Sequence, residues 1–241
     1  MRLIDTSFRS PAKNLALDEV LLDGAERGLT GEVLRFWESP VPFAVLGVAQ
    51  AVRQEVRLQE CEEAGLAVLR RCSAGGCVLQ GQGCLNYSLV LEHAHRPEIR
   101  TIRGSYCYIL GRISEQLRKR DLTVRHNGVS DLSLGGKKVS GNSQKRRKRY
   151  MLHHGTLLYG LEPEDMEQYL REPADRPRYR GDRTHRGFVR NLPLGPDELR
   201  EVVREAFDVD DAVVKPNRFE LDETAELAQE KYTAAAWTLR R

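Results

Sequence analysis

The sequence predicts an α/β fold, and two observations carry that reading. Short runs that alternate apolar and polar residues, or are wholly apolar, recur between Gly and Pro breaks as strands. Between them lie longer segments whose apolar residues repeat at helical spacing. A length of 241 residues suits one large domain or two small ones and is enough to bury a sizeable core.

A short strand over Arg2 to Ile4 opens the chain. Ser10-Pro11 marks a helix start, with serine as cap and proline in the first turn. Leu15, Leu17, Val20, Leu21 and Leu22 carry its apolar stripe to an end near Gly28. Val33 to Trp37 alternates as a strand, Pro40 and Pro42 interrupt it, and Phe43 to Val48 reads as a more buried strand. Arg57 to Ala64 is a charged helix that Gly65 ends, and Ala67 to Arg71 is the next strand. Leu85 to Leu91 forms another strand. A long helix from about Ser105 to Lys119 follows, with Tyr106, Ile109, Leu110, Ile113 and Leu117 on one face. A hairpin at 131–144 leads to a strand from Tyr150 to Tyr159 and a short helix from Pro163 to Arg171. Pro173 to Gly187 is basic and irregular, Pro196 to Phe207 is helical, and a last helix runs from about Asp222 to Trp237. No internal repeat or low-complexity linker divides the chain.

Composition narrows the function classes. An apolar share of 40% and a charged share of 30% belong to a folded, soluble protein. A net charge of +3 is too small to argue for a nucleic-acid partner by itself. Five cysteines without a paired framework point to free thiols in a reducing compartment. Cys72, Cys77 and Cys84 lack the spacing of a structural zinc site. No stretch reads as a signal peptide or reaches the roughly 18 apolar residues of a membrane span, so the chain is expected to be cytoplasmic.

Two stretches are candidates for chemistry. In Asp131-Leu132-Ser133-Leu134-Gly135-Gly136-Lys137-Lys138-Val139-Ser140-Gly141-Asn142, the alternating leucines and the Gly-Gly pair read as a hairpin. Its return strand carries Lys138, with Gly141 close behind, where a missing Cβ lets backbone approach a ligand. The residues alone fit either an anion site or a surface hairpin guarded by lysine. Arg70 and Arg71 then enter the small-residue loop Cys72-Ser73-Ala74-Gly75-Gly76-Cys77. Such a loop can cradle anionic oxygens with its amides, or serve only as a tight strand connection. It matches neither the P-loop nor the dinucleotide fingerprint. Lys145 to Arg149, five cations in succession, reads as a solvated loop or a docking patch for an acidic partner. His153 and His154 adjoin on a strand, so they face opposite sides and cannot easily share a metal.

Taken together, the stretches resemble the lipoate–protein ligase A family, within the wider group of biotin and lipoyl protein ligases and octanoyltransferases. The resemblance covers nearly the whole chain: Asn14-Leu15-Ala16-Leu17-Asp18-Glu19, Leu34-Arg35-Phe36-Trp37, Leu46-Gly47 through Gln50, Arg70-Arg71 with its loop, Leu85-Asn86-Tyr87-Ser88, Asp131 through Gln144, His153 through Leu158, and Lys231-Tyr232 with Trp237. It implies a mixed sheet flanked by helices, with 1–241 as a single catalytic domain. It implies ATP, Mg2+ and lipoate or octanoate, an acyl-adenylate intermediate, and transfer to a lysine of a lipoyl carrier domain. Lys138 matches the lysine that contacts acyl carbonyl and phosphate oxygens. Arg70, Ser73, Gly75, Gly76, Cys77, Gly141 and His154 fall in the acyl-adenylate pocket. Asp131 falls near the nucleotide and its magnesium, and no metal site is otherwise assigned.

Three departures from that family pattern stand out. Ala74 replaces one glycine of the loop, Ser130 precedes Asp131 in place of asparagine, and the chain stops just after Trp237. The last implies a separate accessory-domain subunit, or a different half of the chemistry. The alternative is an ATP-independent octanoyl or lipoyl transferase working through a cysteine thioester. The positions where such relatives carry that cysteine hold none here, which leaves Cys77 as its candidate. An RNA-binding module acting through Lys145–Arg149 lacks an aromatic stacking motif behind it.

Overall fold

The structure is a computed structural model that describes residues 1–173 and 175–240. Its elements run β1 (Arg2–Asp5), α1 (Pro11–Glu26), β2 (Val33–Trp37), β3 (Phe43–Leu46), α2 (Val52–Glu55), α3 (Leu58–Glu63), β4 (Ala67–Arg70), β5 (Val78–Gln80) and β6 (Cys84–Glu92). They continue with α4 (Ile102–Arg118), β7 (Val124–Asn127), β8 (Asp131–Leu134), β9 (Lys137–Arg146), β10 (Tyr150–Leu158), α5 (Pro163–Tyr169), α6 (His185–Phe188), α7 (Pro196–Ala206), β11 (Val213–Val214), α8 (Arg218–Leu227) and α9 (Ala235–Thr238).

Two sheets form among the described residues. The larger has the order β11-β1-β2-β6-β10-β9-β8-β7, and the smaller β4-β3-β5. Both are mixed: β1 pairs parallel with β2 and β11, whereas β2, β6, β10, β9 and β8 pair antiparallel. In the smaller sheet β3 runs parallel to β4 and antiparallel to β5.

Helices cover both faces of the large sheet, which is why β2 and β6 are buried almost throughout rather than alternating with solvent. Leu34, Phe36, Leu89, Leu91 and Met151 point to α4 and α7, where Ile109, Ile113, Val202 and Val203 meet them. Val33, Val90 and Leu152 point the other way, to Leu17, Leu21 and Leu22 of α1. The period of two along β10 therefore separates its histidines. His153 packs edge-on to Tyr106 of α4, and His154 faces Asp18 of α1.

The C-terminal helix expected as one piece is broken. Asn217 caps α8 reciprocally with Glu220. A π-helical turn at Ala228–Tyr232 then redirects the chain before α9. The turn brings Lys231 and Tyr232 onto Glu19, at 2.6 and 2.7 Å, and Trp237 onto β4. Lys145–Arg149 is likewise no free loop. Lys145 and Arg146 lie in β9, Lys145 pairs with Glu19 at 2.5 Å, Arg147 with Asp23 and Arg149 with Glu92. Of the basic segment at 173–187, Ala174 lies outside the described residues, and α6 supplies a short helical turn. No helix among the described residues is long and apolar enough to cross a membrane.

Candidate active site

The hairpin forms as its residues dictate. Gly135 and Gly136 take φ values of 60° and 74°, the backbone that a two-residue primed turn requires. A register shift between Leu132 and Ser133 sets Lys138 opposite Ser133 and Asp131 opposite Gly141. Lys138 folds back over Gly141, and its Nζ lies 2.7 Å from Asp131 Oδ1. A Cβ on Gly141 would stand 2.9 Å from both Cε and Nζ of that lysine, so this glycine admits the Lys138 side chain itself. Asp131 is buried and its second oxygen accepts from Tyr179 Oη at 2.8 Å.

The two arginines that open the loop do different work. Arg70 is fully buried and is not among the residues that line the cavity. Its guanidinium donates to the carbonyls of Gly47, Gln50 and Thr238 at 2.9, 2.7 and 2.7 Å, and its own carbonyl accepts from Trp237 Nε1 at 2.7 Å. Arg70 thereby ties the C-terminal segment to β4. Arg71 lines the cavity instead. It also shapes the loop, donating to the carbonyls of Ala74 at 2.6 Å and Gly76 at 2.9 Å. Gly75 takes φ 89°, and its carbonyl would sit 1.9 Å from a Cβ on Gly47, so loop and strand end approach only because position 47 is glycine.

Ser73 and His154 join the loop to the core. Ser73 Oγ accepts from Arg71 Nε at 3.0 Å and lies 2.6 Å from His154 Nε2, while His154 Nδ1 lies 3.0 Å from Asp18 Oδ2. Asp18 is buried, and burial disfavours its charge, yet Arg35 at 2.6 Å and then His154 hold its carboxyl below the usual range. An ionised Asp18 only accepts, so Nδ1 of His154 carries a proton and donates to it. Both ring nitrogens are thus engaged in bracing the loop. His153 is a core residue: burial drives it down to about 3 and keeps it neutral.

These elements enclose a cavity of about 390 Å³ between the small sheet and the β9–β10 end of the large one, within the range of roughly 300–1,000 Å³ for small-molecule sites. One side is apolar through Leu15, Trp37, Val45 and Val78, and the other through Leu158, Met166, Leu170 and Phe188. Arg71, Gly75, Gly76, Cys77, Asp131, Lys138, Gly141 and His154 all line it. Ser73 stands behind the wall as the brace of His154. The fold therefore gathers the expected residues except Arg70 and adds Arg71, Asn142, Asp18 and Tyr179. Asn142 takes the Tyr87 hydroxyl at 2.5 Å and donates to the Ser130 carbonyl at 2.8 Å. Gly155 makes room for it, since a Cβ there would lie 1.8 Å from Asn142 Oδ1.

The set offers cationic donors to an anion or a carbonyl through Lys138 and Arg71, beside one thiol, Cys77. Burial pushes the Cys77 thiol up to about 12 although Arg71 opposes the rise, and burial raises Cys72 and Cys84 to about 12 and Cys61 to about 11. Among the described residues no three His, Cys, Asp or Glu side chains converge to hold a metal ion.

A family profile described as the lipoyl protein ligase A/B catalytic domain matches residues 10–211. The chain belongs to that family. Over its full length it is 26% identical to the Octanoyltransferase LipM of Halalkalibacterium halodurans, covering 99% of that protein. The fold matches a structure of the bi-partite lipoate protein ligase of Thermoplasma acidophilum, reported with its E2 lipoyl domain, at a TM-score of 0.84 and 23% identity. That match covers 99% of this chain and 95% of the other. It also matches a lipoate-protein ligase A bound with ATP at a TM-score of 0.84 and 24% identity, over 99% and 98% of the two chains. The mixed sheet flanked by helices is thus the fold of lipoate-protein ligases, and the protein is an enzyme of the lipoyl ligase or octanoyltransferase kind.

Proposed function

We propose that this enzyme activates octanoate or lipoate with ATP and passes the acyl group to the lysine of a lipoyl carrier domain. The observation that carries this reading is the Lys138–Asp131 pair on the wall of an apolar cavity, where burial pushes the lining Cys77 thiol up to about 12. In the first step the acid's carboxylate attacks the α-phosphate of ATP and pyrophosphate leaves. Lys138 offers its ammonium to the phosphate oxygens, and then to the acyl carbonyl as the carrier's deprotonated amine attacks and AMP departs. The apolar walls align the chain and keep water from the adenylate. Mg2+ enters with ATP as part of that substrate, and Asp131 is the residue that would share it with the phosphates. One carboxylate plus phosphate oxygens suits magnesium, which is seldom caged by protein alone.

A second reading is favoured by the curated relatives, whose full-length match is to an octanoyltransferase. Here Cys77 takes the octanoyl group from a carrier thioester and hands it to the acceptor lysine without ATP. The suppressed thiol weighs against it, and the relative's name weighs for it.

ATP–pyrophosphate exchange with octanoate and with lipoate separates the two. The assay is run on the protein alone and with an accessory-domain subunit added. Exchange that survives Cys77→Ala supports the ligase. ATP-free octanoyl transfer that dies in Cys77→Ala overturns it in favour of the transferase.

A further inference from the structure

The segment that follows α5 holds the backbone of Lys138, the hairpin turn before it and the carboxylate of its partner Asp131. Arg190 donates its backbone N–H to the Lys138 carbonyl at 2.9 Å, and Val189 bridges to Lys138 as an isolated parallel pair. Arg183 donates to the carbonyl of Gly136, in the hairpin turn, at 2.9 Å. Tyr179 reaches the far oxygen of Asp131 at 2.8 Å, while Lys138 holds the near one at 2.7 Å.

Tyr179 is itself well seated. Its ring packs on Phe188 at 5.1 Å, and the Cβ-free Gly128 lies beneath its edge, where an added Cβ would come within 3.6 Å. The hydroxyl donates to a carboxylate, so its geometry dictates which way that carboxylate turns. An aspartate side chain has two torsions, and a lysine contact at one oxygen leaves the group free to swing with the lysine. A second, independent contact at the other oxygen removes that freedom.

We propose that Tyr179 is a positioning residue for Lys138. It holds the Asp131 carboxylate in the orientation that aims Oδ1 at Nζ, so that the ammonium keeps one donor on Asp131 and presents the others to the reacting acyl and phosphate oxygens. It also draws hydrogen-bonding capacity from Asp131, so the carboxylate does not follow the lysine into the substrate's place. The inference rests on the reading that Lys138 works at the acyl carbonyl, which both the ligase and the transferase require.

The test is Tyr179→Phe, which removes one oxygen and keeps the ring on Phe188. Acyl transfer to a lipoyl domain is measured from ATP with octanoate and, separately, from an octanoyl carrier protein. In whichever assay the unaltered enzyme turns over, kcat is expected to fall about tenfold, as for a misaimed catalytic group. KM for the acyl donor should stay within about twofold and Tm should be unchanged. Unchanged kcat overturns the proposal. So does a fall in kcat accompanied by a raised KM or lowered Tm, because that describes a loosened segment. Activity only from the octanoyl carrier refutes the ATP reading and leaves this test intact. Activity in neither assay overturns the functional reading and this inference with it.

Discussion

Lys138 reaches Asp131 by lying across Gly141: the 2.7 Å ion pair occupies space that any side chain at position 141 would take. The pair and the glycine form one device, and each part can be perturbed alone.

Lys138→Ala removes the cation that we propose meets the phosphate and acyl oxygens. Activity should fall by about a hundredfold or more. Stability should change by only about 1 kcal/mol, since Asp131 keeps Tyr179 and the lysine is partly solvated. Steady-state kinetics beside thermal unfolding checks this, and an Ala variant with full activity refutes the role.

Gly141→Ala tests the packing. The new Cβ meets only the far end of a flexible side chain, so the strand should accept it and Lys138 should move. We expect roughly a tenfold loss of kcat with Tm held or slightly raised, because alanine suits a strand interior better than glycine. A lost fold would show that the backbone, not the lysine, needs that glycine.

Arg70 and Arg71 should separate cleanly. Arg70→Ala strips several buried carbonyls and the C-terminal segment of their donor, costing about 3 kcal/mol or more in denaturant unfolding. Arg71→Ala should cost activity first, through the loop that it gathers. Equal stability losses from the two substitutions would contradict the assignment.

Glu19 and His153 are among the groups through which acid should unfold the protein. Burial alone would raise Glu19, but Lys145 and Lys231 hold it down to about 2. A carboxyl depressed in the fold stabilises above its unfolded value near 4.5, and that contribution, of order 3 kcal/mol, drains as pH falls from about 5 towards 2. His153, neutral in the fold down to about 3, likewise favours unfolding as pH drops below about 6.5, because the unfolded imidazole takes up the proton. The stability gap between the native protein and Glu19→Gln should therefore shrink below pH 5 in urea titrations. A gap independent of pH would contradict it.

What could be read in advance follows from sequence distance. The hairpin, its turn and Lys138 with Gly141 are local, and the pattern of alternation plus Gly-Gly carried them. The opposite facing of His153 and His154 followed from strand geometry alone. Arg70 and Arg71 could not be told apart, because the choice depends on Trp237 and Thr238, 167 and 168 residues away. Asp18 was hidden for a similar reason: its partner His154 is 136 residues distant. A signal existed, since Asn14 and Asp18 are polar residues one turn apart within the apolar stripe of a buried helix. Five cations in a row resembled a solvated loop, yet three of them meet Glu19, Asp23 and Glu92, acids supplied by other elements. The broken C-terminal helix was invisible because docking, not propensity, turns it.

The central claim is that the free acid is activated by ATP at Lys138, and the most direct measurement is mass detection of the acyl-adenylate. Enzyme is incubated with Mg-ATP and octanoate or lipoate, with any accessory-domain subunit present. Acyl-AMP should form with the native protein and with Cys77→Ala, and be absent with Lys138→Ala. No acyl-AMP, under conditions where octanoyl transfer from a carrier thioester proceeds without ATP, would contradict the account.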